Sequence, residues 1–519
     1  MHEVELTLVL LVAVAVLATL ARTLGVPYPI LLVVAGLLLA VSPVPEVVLA
    51  PDLVFLLFLP PLLYLAAFDT AIRDVRAMLR PILSLSVGLV LATMVAVAVV
   101  VRLVVPDVGW PAAFAFGAIV SPPDAVAAVA VLRRLNVPRQ LVTLLEGESL
   151  FNDATALVAF RMATLAMATS SFSPTDALLR FVVVGGGGVL VGVLVGKGIA
   201  LVRRHLSDAP VEILVSLLTP FAAYLTAEQL GASGVLATVT TGLCLGWWAP
   251  RIMDPDVRLR GRAVWEMVSF TLNGLVFLLI GLQLSTILPS LIGRPWLTTI
   301  GLAVLVSAVV ILVRLIWVIP AAFGVPVLGH RKSWPVVLIS GWAGMRGVVS
   351  LATALALPLE TPNRDLLLFL TFCVILVTLV GQGLSLPWLV SVLPIADDGR
   401  EDEQERHARA VTIEAARRRI EQLAKEWPSH LPLVDTLRSQ YDHRASHVGG
   451  LHVDGQEDGG HALSEEAEQE ILEHGQIRRA VIEAEREAVL ELRDRGEIGD
   501  AVWRRVERDL DLEELRLEA

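Results

Sequence analysis

The chain is 519 residues long, 55% hydrophobic and only 18% charged, with a mean hydropathy of +0.70. That balance excludes a water-soluble globular protein and reads as a polytopic membrane protein. The net charge of -11 arises after Ile395, where acids outnumber bases. With no basic domain, nucleic acid is excluded as a partner.

Apolar segments fall near residues 4–21, 28–44, 51–68, 81–105, 110–132, 141–169, 178–202, 211–230, 233–249, 263–287, 296–321, 335–358 and 366–393, which makes about thirteen spans. The first is preceded by Met1-His2-Glu3. It lacks the basic flank of a signal peptide and is read as a span. Cys244 and Cys373 lie in apolar segments without ligand spacing and are read as small core residues.

Basic residues cluster in alternate loops: Arg22; Arg73, Arg76 and Arg80; Arg133, Arg134 and Arg139; Lys197, Arg203 and Arg204; Arg251, Arg258, Arg260 and Arg262; Arg331 and Lys332. The other loops hold only Arg102, Arg294 and Arg364. The positive-inside rule then puts the N-terminus outside and the tail in the cytoplasm.

The span near 110–132 is interrupted by Ser121-Pro122-Pro123-Asp124-Ala125. Adjacent prolines remove backbone donors and clash with the preceding turn, so this helix is expected to break near mid-membrane with Asp124 at the break. The next span carries Glu146-Gly147-Glu148-Ser149-Leu150-Phe151-Asn152-Asp153. At about 3.6 residues per turn, Glu148 stacks on Asn152 and Ser149 on Asp153, so all four share one broad face. Acids at membrane depth cost several kcal/mol or more unless met by a partner, water or an ion, and so point to an ion or proton path. Unwound backbone beside a carboxylate is how secondary transporters hold a small cation.

The span near 335–358 contains Gly341-Trp342-Ala343-Gly344-Met345-Arg346-Gly347, a second break with a charge inside it. The spans therefore fit two inverted repeats of about six helices each, joined by a connector, with the two broken helices crossing at the substrate site. Arg346 is the expected counter-charge for Glu148 or a neighbouring carboxylate. Arg161 and Arg314 are read as interfacial or packing residues, and Asn273 and Gln283 as hydrogen bonds between helices.

Residues 1–395 thus form a membrane domain and 396–519 a charged helical tail. The tail opens with a helix from Arg400 to about Trp427. A Gly/His/Asp-rich linker is expected near 443–463, and its histidines, His443, His447, His452 and His461, are read as solvated. Ile477, Val481, Ala484, Ala488 and Leu492 then mark one face of an amphipathic helix.

Gly117-Ala118-Ile119-Val120-Ser121-Pro122-Pro123-Asp124-Ala125-Val126, the Glu146–Asp153 run with Ala154-Thr155-Ala156-Leu157, the segment Asn273 to Gln283, and Gly344-Met345-Arg346-Gly347 together resemble the bacterial branch of the monovalent cation/proton antiporters that includes the sodium/proton exchangers. The resemblance covers most of residues 1–395. It implies that Asp153 carries cation and proton in turn, that Asp124 helps to coordinate the cation, and that Glu148 and Ser149 support the site. Asn152 matches the asparagine of electroneutral exchangers. The resemblance also implies a homodimer in the cell membrane, with a moving core of about six helices against a scaffold. Many members have Thr-Asp-Pro where this chain has Pro123-Asp124-Ala125. Pro123 keeps the backbone carbonyl but stiffens the chain around it.

The expected activity is exchange of a monovalent cation, Na+ first and Li+ or K+ as alternatives, for H+ by alternating access. Oxygen ligands from Asp124, Asp153, Ser149 and backbone suit a hard ion, with no His or Cys nearby. No cofactor is expected beyond the transported ions, no partner beyond lipid and a second copy, and no enzymatic reaction. A buried Glu146 or Glu148 paired with Arg346 could serve only to hold helices together, the preferred reading for Glu148. Two other classes stand beside exchange. An intramembrane aspartyl protease also uses two membrane aspartates, but its Gly-x-Gly-Asp and Pro-Ala-Leu segments are missing here. A membrane sensor would signal through 396–519, where no nucleotide-binding or kinase pattern occurs.

Overall fold

The computed structural model describes residues 2–40, 51, 54–132, 135, 137–169, 174–206, 208–289, 294–323, 333–393, 400–447 and 465–518. Regular structure among them is helical, without a strand. The chain divides into two units, Met1–Met253 with Arg262–Asp397, and Asp254–Gly261 with Asp398–Ala519.

In the first unit the helices of eight residues or more are α1 (His2–Leu24), α2 (Tyr28–Ala40), α3 (Leu59–Asp69), α4 (Val90–Val104), α5 (Trp110–Val120), α6 (Ala125–Leu132), α7 (Arg139–Thr169), α8 (Pro174–Arg203), α9 (Ala209–Gln229), α10 (Gly234–Ile252), α11 (Pro255–Leu282), α12 (Trp296–Val318), α13 (Trp334–Trp342), α14 (Val348–Leu355), α15 (Arg364–Leu376) and α16 (Gly383–Val392). The first turns of α11 group with the second unit. Each apolar segment of the sequence has a helical counterpart here. Among the described residues, eight helices or helix pairs are long and apolar enough to cross a membrane, with Tyr28–Ala40 and Val54–Asp69 as shorter apolar helices.

Burial separates the inner helices from the lipid-facing ones. In Trp110–Leu132 the most apolar window is 83% buried, against 17% in Thr7–Leu24. The peripheral α1 exposes Leu8, Val9, Val12 and Val16, and α12 exposes Leu297, Val304, Leu312 and Ile316. Apolar stripes of this kind belong against hydrocarbon. The core between them is close-packed, and where α2 meets α11 the backbones nearly touch. A Cβ on Gly36 would lie 2.9 Å from the Cα of Gly281, and one on Gly281 would lie 2.8 Å from the Cα of Gly36. Glycine on both sides is what permits that approach.

Both broken spans start alike. Trp110-Pro111 opens α5 and Trp334-Pro335 opens α13, with the proline in the first helical turn in each case, where its missing N–H costs nothing. Their breaks differ in chemistry. Pro122 and Pro123 end α5, whereas glycines at 341, 344 and 347 interrupt the second span. Asp124 N donates to Met345 O at 2.7 Å, so the two unwound segments cross and are joined through backbone.

The second unit has its own core. Its helices are α17 (Arg400–Glu426), α18 (Leu431–His447), α19 (Glu465–Arg495) and α20 (Asp500–Glu518). Ile413, Ile420, Leu423, Val434, Leu437, Ile477 and Val481 form one apolar cluster. Ile482, Val489, Leu492, Val502, Trp503 and Val506 form another. The face expected on α19 is present at Ile477, Val481 and Leu492, with Val489 fully buried and Ala484 and Ala488 half-buried. Of the expected linker, 443–447 belongs to α18, while 448–463, with His452 and His461, lies outside the described residues. So do Arg133, Arg134, Arg331 and Lys332.

Candidate functional site

Four half-helices end or begin at the crossing: α5 and α13 bring C-termini, α6 and α14 bring N-termini. Terminal carbonyls and amides lack helical partners and carry partial charge, so each end needs a complement. For α5 it is Arg346, whose Nε donates to Val120 O at 2.8 Å and Nη1 to Gly344 O at 2.7 Å. For α13 it is Arg314, whose Nε donates to Ser340 O at 3.0 Å. Arg346 N also donates to Thr378 Oγ1 at 3.0 Å, from a wide turn at Val377–Gln382.

The N-terminus of α6 is complemented by acid and hydroxyl. Val126 N donates to Asp124 Oδ1 at 2.8 Å, an N-cap bond, and Ala125 N donates to Ser149 Oγ at 3.4 Å. Asn152 Nδ2 donates to Pro123 O at 2.7 Å. The face of α7 that bears Ser149 and Asn152 therefore lies directly on the proline break. Asp153 is 6% exposed and within electrostatic range of Asp124. The structure thus brings Asp124, Pro123, Ser149, Asn152 and Asp153 together.

The expected pairing of Arg346 with Glu148 is corrected. Arg314 holds Glu148 instead, Nη1 to Oε1 at 2.5 Å and Nη2 to Oε2 at 2.8 Å. Arg346 is near enough to feel the charge of Glu148, but its guanidinium donates to the carbonyls of Val120 and Gly344. Of the two readings for Arg314, interfacial or packing, the packing one holds: it is 1% exposed, joins two other helices, and the helix continues past it through Ile319–Phe323. Arg161, by contrast, lies at the surface and pairs with Glu228 at 2.9 Å. Glu146 is half-buried and, about 200° round the helix from Glu148, lies on a different face.

Among the described residues, then, neither Asp124 nor Asp153 is bonded to a basic side chain; the nearby arginines are engaged by Glu148 and by helix ends. A polar atom beside the aspartates is also unmatched. Asn152 Oδ1 is buried and has no hydrogen-bond partner. Sequence reading missed Tyr28, at the start of α2, which lies within electrostatic range of Asp124. Nothing in its local sequence distinguishes it.

The transmembrane model of the sodium/hydrogen exchangers matches residues 9–392. The chain belongs to the sodium/hydrogen exchanger family. It is 36% identical to an uncharacterized Na(+)/H(+) exchanger of Mycobacterium tuberculosis, Rv2287, over 98% of this chain and 96% of that one. It is 33% identical to the low-affinity Na(+)/H(+) antiporter NhaS1 of Synechocystis, over 85% of this chain and 84% of that one. In fold, this exchanger resembles the sodium proton antiporter MjNhaP1 of Methanocaldococcus jannaschii, with a TM-score of 0.59 and 21% identity, over 75% of this chain and 98% of that one.

Proposed function

We propose that the protein exchanges one monovalent cation, Na+ first among the candidates, for one proton at the crossing of the broken helices. The observation that carries this reading is the pair Asp124 and Asp153, half-buried and buried respectively, side by side without a fixed counter-cation among the described residues. A carboxylate at that depth costs several kcal/mol or more while uncompensated. A proton or a metal cation can offset the charge, and the two compete for one place. Asp153 carries cation and proton in turn. Asp124, Ser149, the Pro123 carbonyl and the unmatched Oδ1 of Asn152 complete an oxygen seat suited to a hard ion.

Exchange follows if the core moves only when the seat is neutralised, because an uncompensated charge cannot be carried past the hydrocarbon. Glu148 and Arg346 belong to the frame in this reading. They fix the helix ends and leave the mobile charge to the aspartates. The N-terminus lies outside and the tail in the cytoplasm of a plasma-membrane homodimer, in keeping with the distribution of basic loops. No cofactor takes part.

The test uses proteoliposomes with an acidic lumen and a trapped pH dye. Adding Na+ outside is expected to raise the internal pH, and clamping the membrane potential is expected to leave the rate unchanged. A series of Li+, Na+ and K+ ranks the cations. Proton movement that ignores every cation would overturn the reading.

A further inference from the structure

The second break holds a residue whose lack of a side chain bears directly on Asp124. A Cβ built on Gly347 would lie 2.6 Å from Asp124 Cγ and 2.7 Å from its Cβ, and would overlap Oδ2. The other glycines of this break meet different neighbours. A Cβ on Gly341 would meet the apolar ends of Leu315 and Val318, and one on Gly344 would meet Arg314. Of these three positions, only Gly347 faces an acid.

We propose that Gly347 is a positioning residue for the cation seat: its bare Cα lets the Asp124 carboxylate lie across the head of α14, with Oδ1 on α6 and Oδ2 free for the ion. Gly347 is the N-cap of α14, so a carboxylate there borders the positive ends of α6 and α14 together. Both backbones are held by hydrogen bonds here. Asp124 N is tied to Met345 O at 2.7 Å, Pro123 O is held by Asn152 at 2.7 Å, and Arg346, next to Gly347, is fixed by Thr378 and Val120. A methyl at 347 therefore has to turn the carboxylate, breaking the bond to Val126 N or taking Oδ2 from the seat, and also has to push the Asp124 Cβ back by a few tenths of an ångström, since rotation leaves that atom in place. This inference rests on Asp124 being an ion ligand.

Two measurements test it on the full chain. In Na+-driven exchange, Gly347→Ala is expected to raise the apparent KM for Na+ about tenfold with a maximal rate within about twofold of wild type, the pattern for loss of ground-state binding. A lower maximal rate with an unmoved KM is the pattern of a merely structural residue and overturns the proposal.

The second is a melting-temperature cycle in Na+-free buffer with Gly347→Ala, Asp124→Gly and the double variant. Gly347→Ala is expected to lower the melting temperature when Asp124 is present and to have little effect beside Gly at 124. If Gly347→Ala alone fails to fold, the double variant is expected to fold. Equal lowering in both backgrounds, or a double variant that also fails to fold, overturns the proposal. Coupling in this cycle with an unmoved KM overturns it too, and locates the fault in the ion role of Asp124 rather than in the geometry.

Discussion

Arg314 clasps Glu148 through two parallel hydrogen bonds at 2.5 and 2.8 Å, with side chains 2% and 1% exposed. Bidentate geometry uses both carboxylate oxygens, so Glu148 has little left to offer an ion. The same arginine reaches Ser340 O with Nε, and so ties α7 to the end of α13.

Removing one partner strands the other. Glu148→Gln is expected to destabilise the protein by about 3–5 kcal/mol, since it leaves a buried guanidinium without its counter-charge. Pairing it with Arg314→Met is expected to recover most of that loss. Melting of the purified protein measures both. The surviving Glu148→Gln protein is expected to keep an apparent KM for Na+ within about twofold of wild type, because uniform binding is untouched. A large rise in KM would mean that Glu148 touches the cation after all.

In the proposed seat Asn152 acts from both ends of its amide. Its nitrogen holds the Pro123 carbonyl at 2.7 Å, and its oxygen is buried and unmatched. Asn152→Ala frees that carbonyl and removes the neutral ligand. It is expected to raise the apparent KM for Na+ by roughly tenfold, the scale of one lost polar interaction in a desolvated site. An unchanged KM in the vesicle assay would remove Asn152 from the seat.

Within the tail unit, burial pushes the Glu507 carboxyl up to about 7, against the pull of Arg258 and with a further push from Asp511; Arg486 and Arg493 also pull it down. Arg258 gives its short bond to Asp511 at 2.7 Å and stands 3.6 Å from Glu507. Arg486 also reaches Asp511, at 3.1 Å. A raised folded-state value favours the protonated form. This contribution to tail stability is full below the ordinary value of 4.5 and is lost as pH rises through about 7. The loss is of the order of 3 kcal/mol. Hydrogen exchange of α20 amides in the full chain, corrected for intrinsic rates, is expected to show protection falling between about pH 5 and about pH 8. Glu507→Gln is expected to flatten that dependence. A wild-type profile already flat would contradict it.

Much of this architecture is legible in the sequence because lipid leaves few choices. Long apolar runs have to be helices, prolines at 122 and 123 have to break one of them, and a glycine-rich run with Arg346 marks another. That Glu148, Ser149, Asn152 and Asp153 share one broad face also follows from helical spacing; that Ser149 and Asn152 of this face meet the Asp124 break does not. The partner of Glu148 was not legible. Arg314 and Arg346 are both cations in apolar segments, and the choice between them depends on which helix ends lie within reach once the spans cross. Arg346 is drawn to Val120 O because α5 ends there, and that end is defined only in three dimensions. Gly347 was legible as a helix breaker but not as a neighbour of Asp124. The tail core was only partly legible, since buried charged residues such as Arg493, paired with Asp500 at 2.5 Å, look like solvated surface in one dimension.

The central claim is that Asp153 takes the cation and the proton by turns. Na+-driven proton flux through Asp153→Asn in proteoliposomes tests it most directly. The expected result is flux at the level of protein-free vesicles, from a variant that melts and elutes like wild type. Na+-dependent flux retained at a rate near wild type would contradict it.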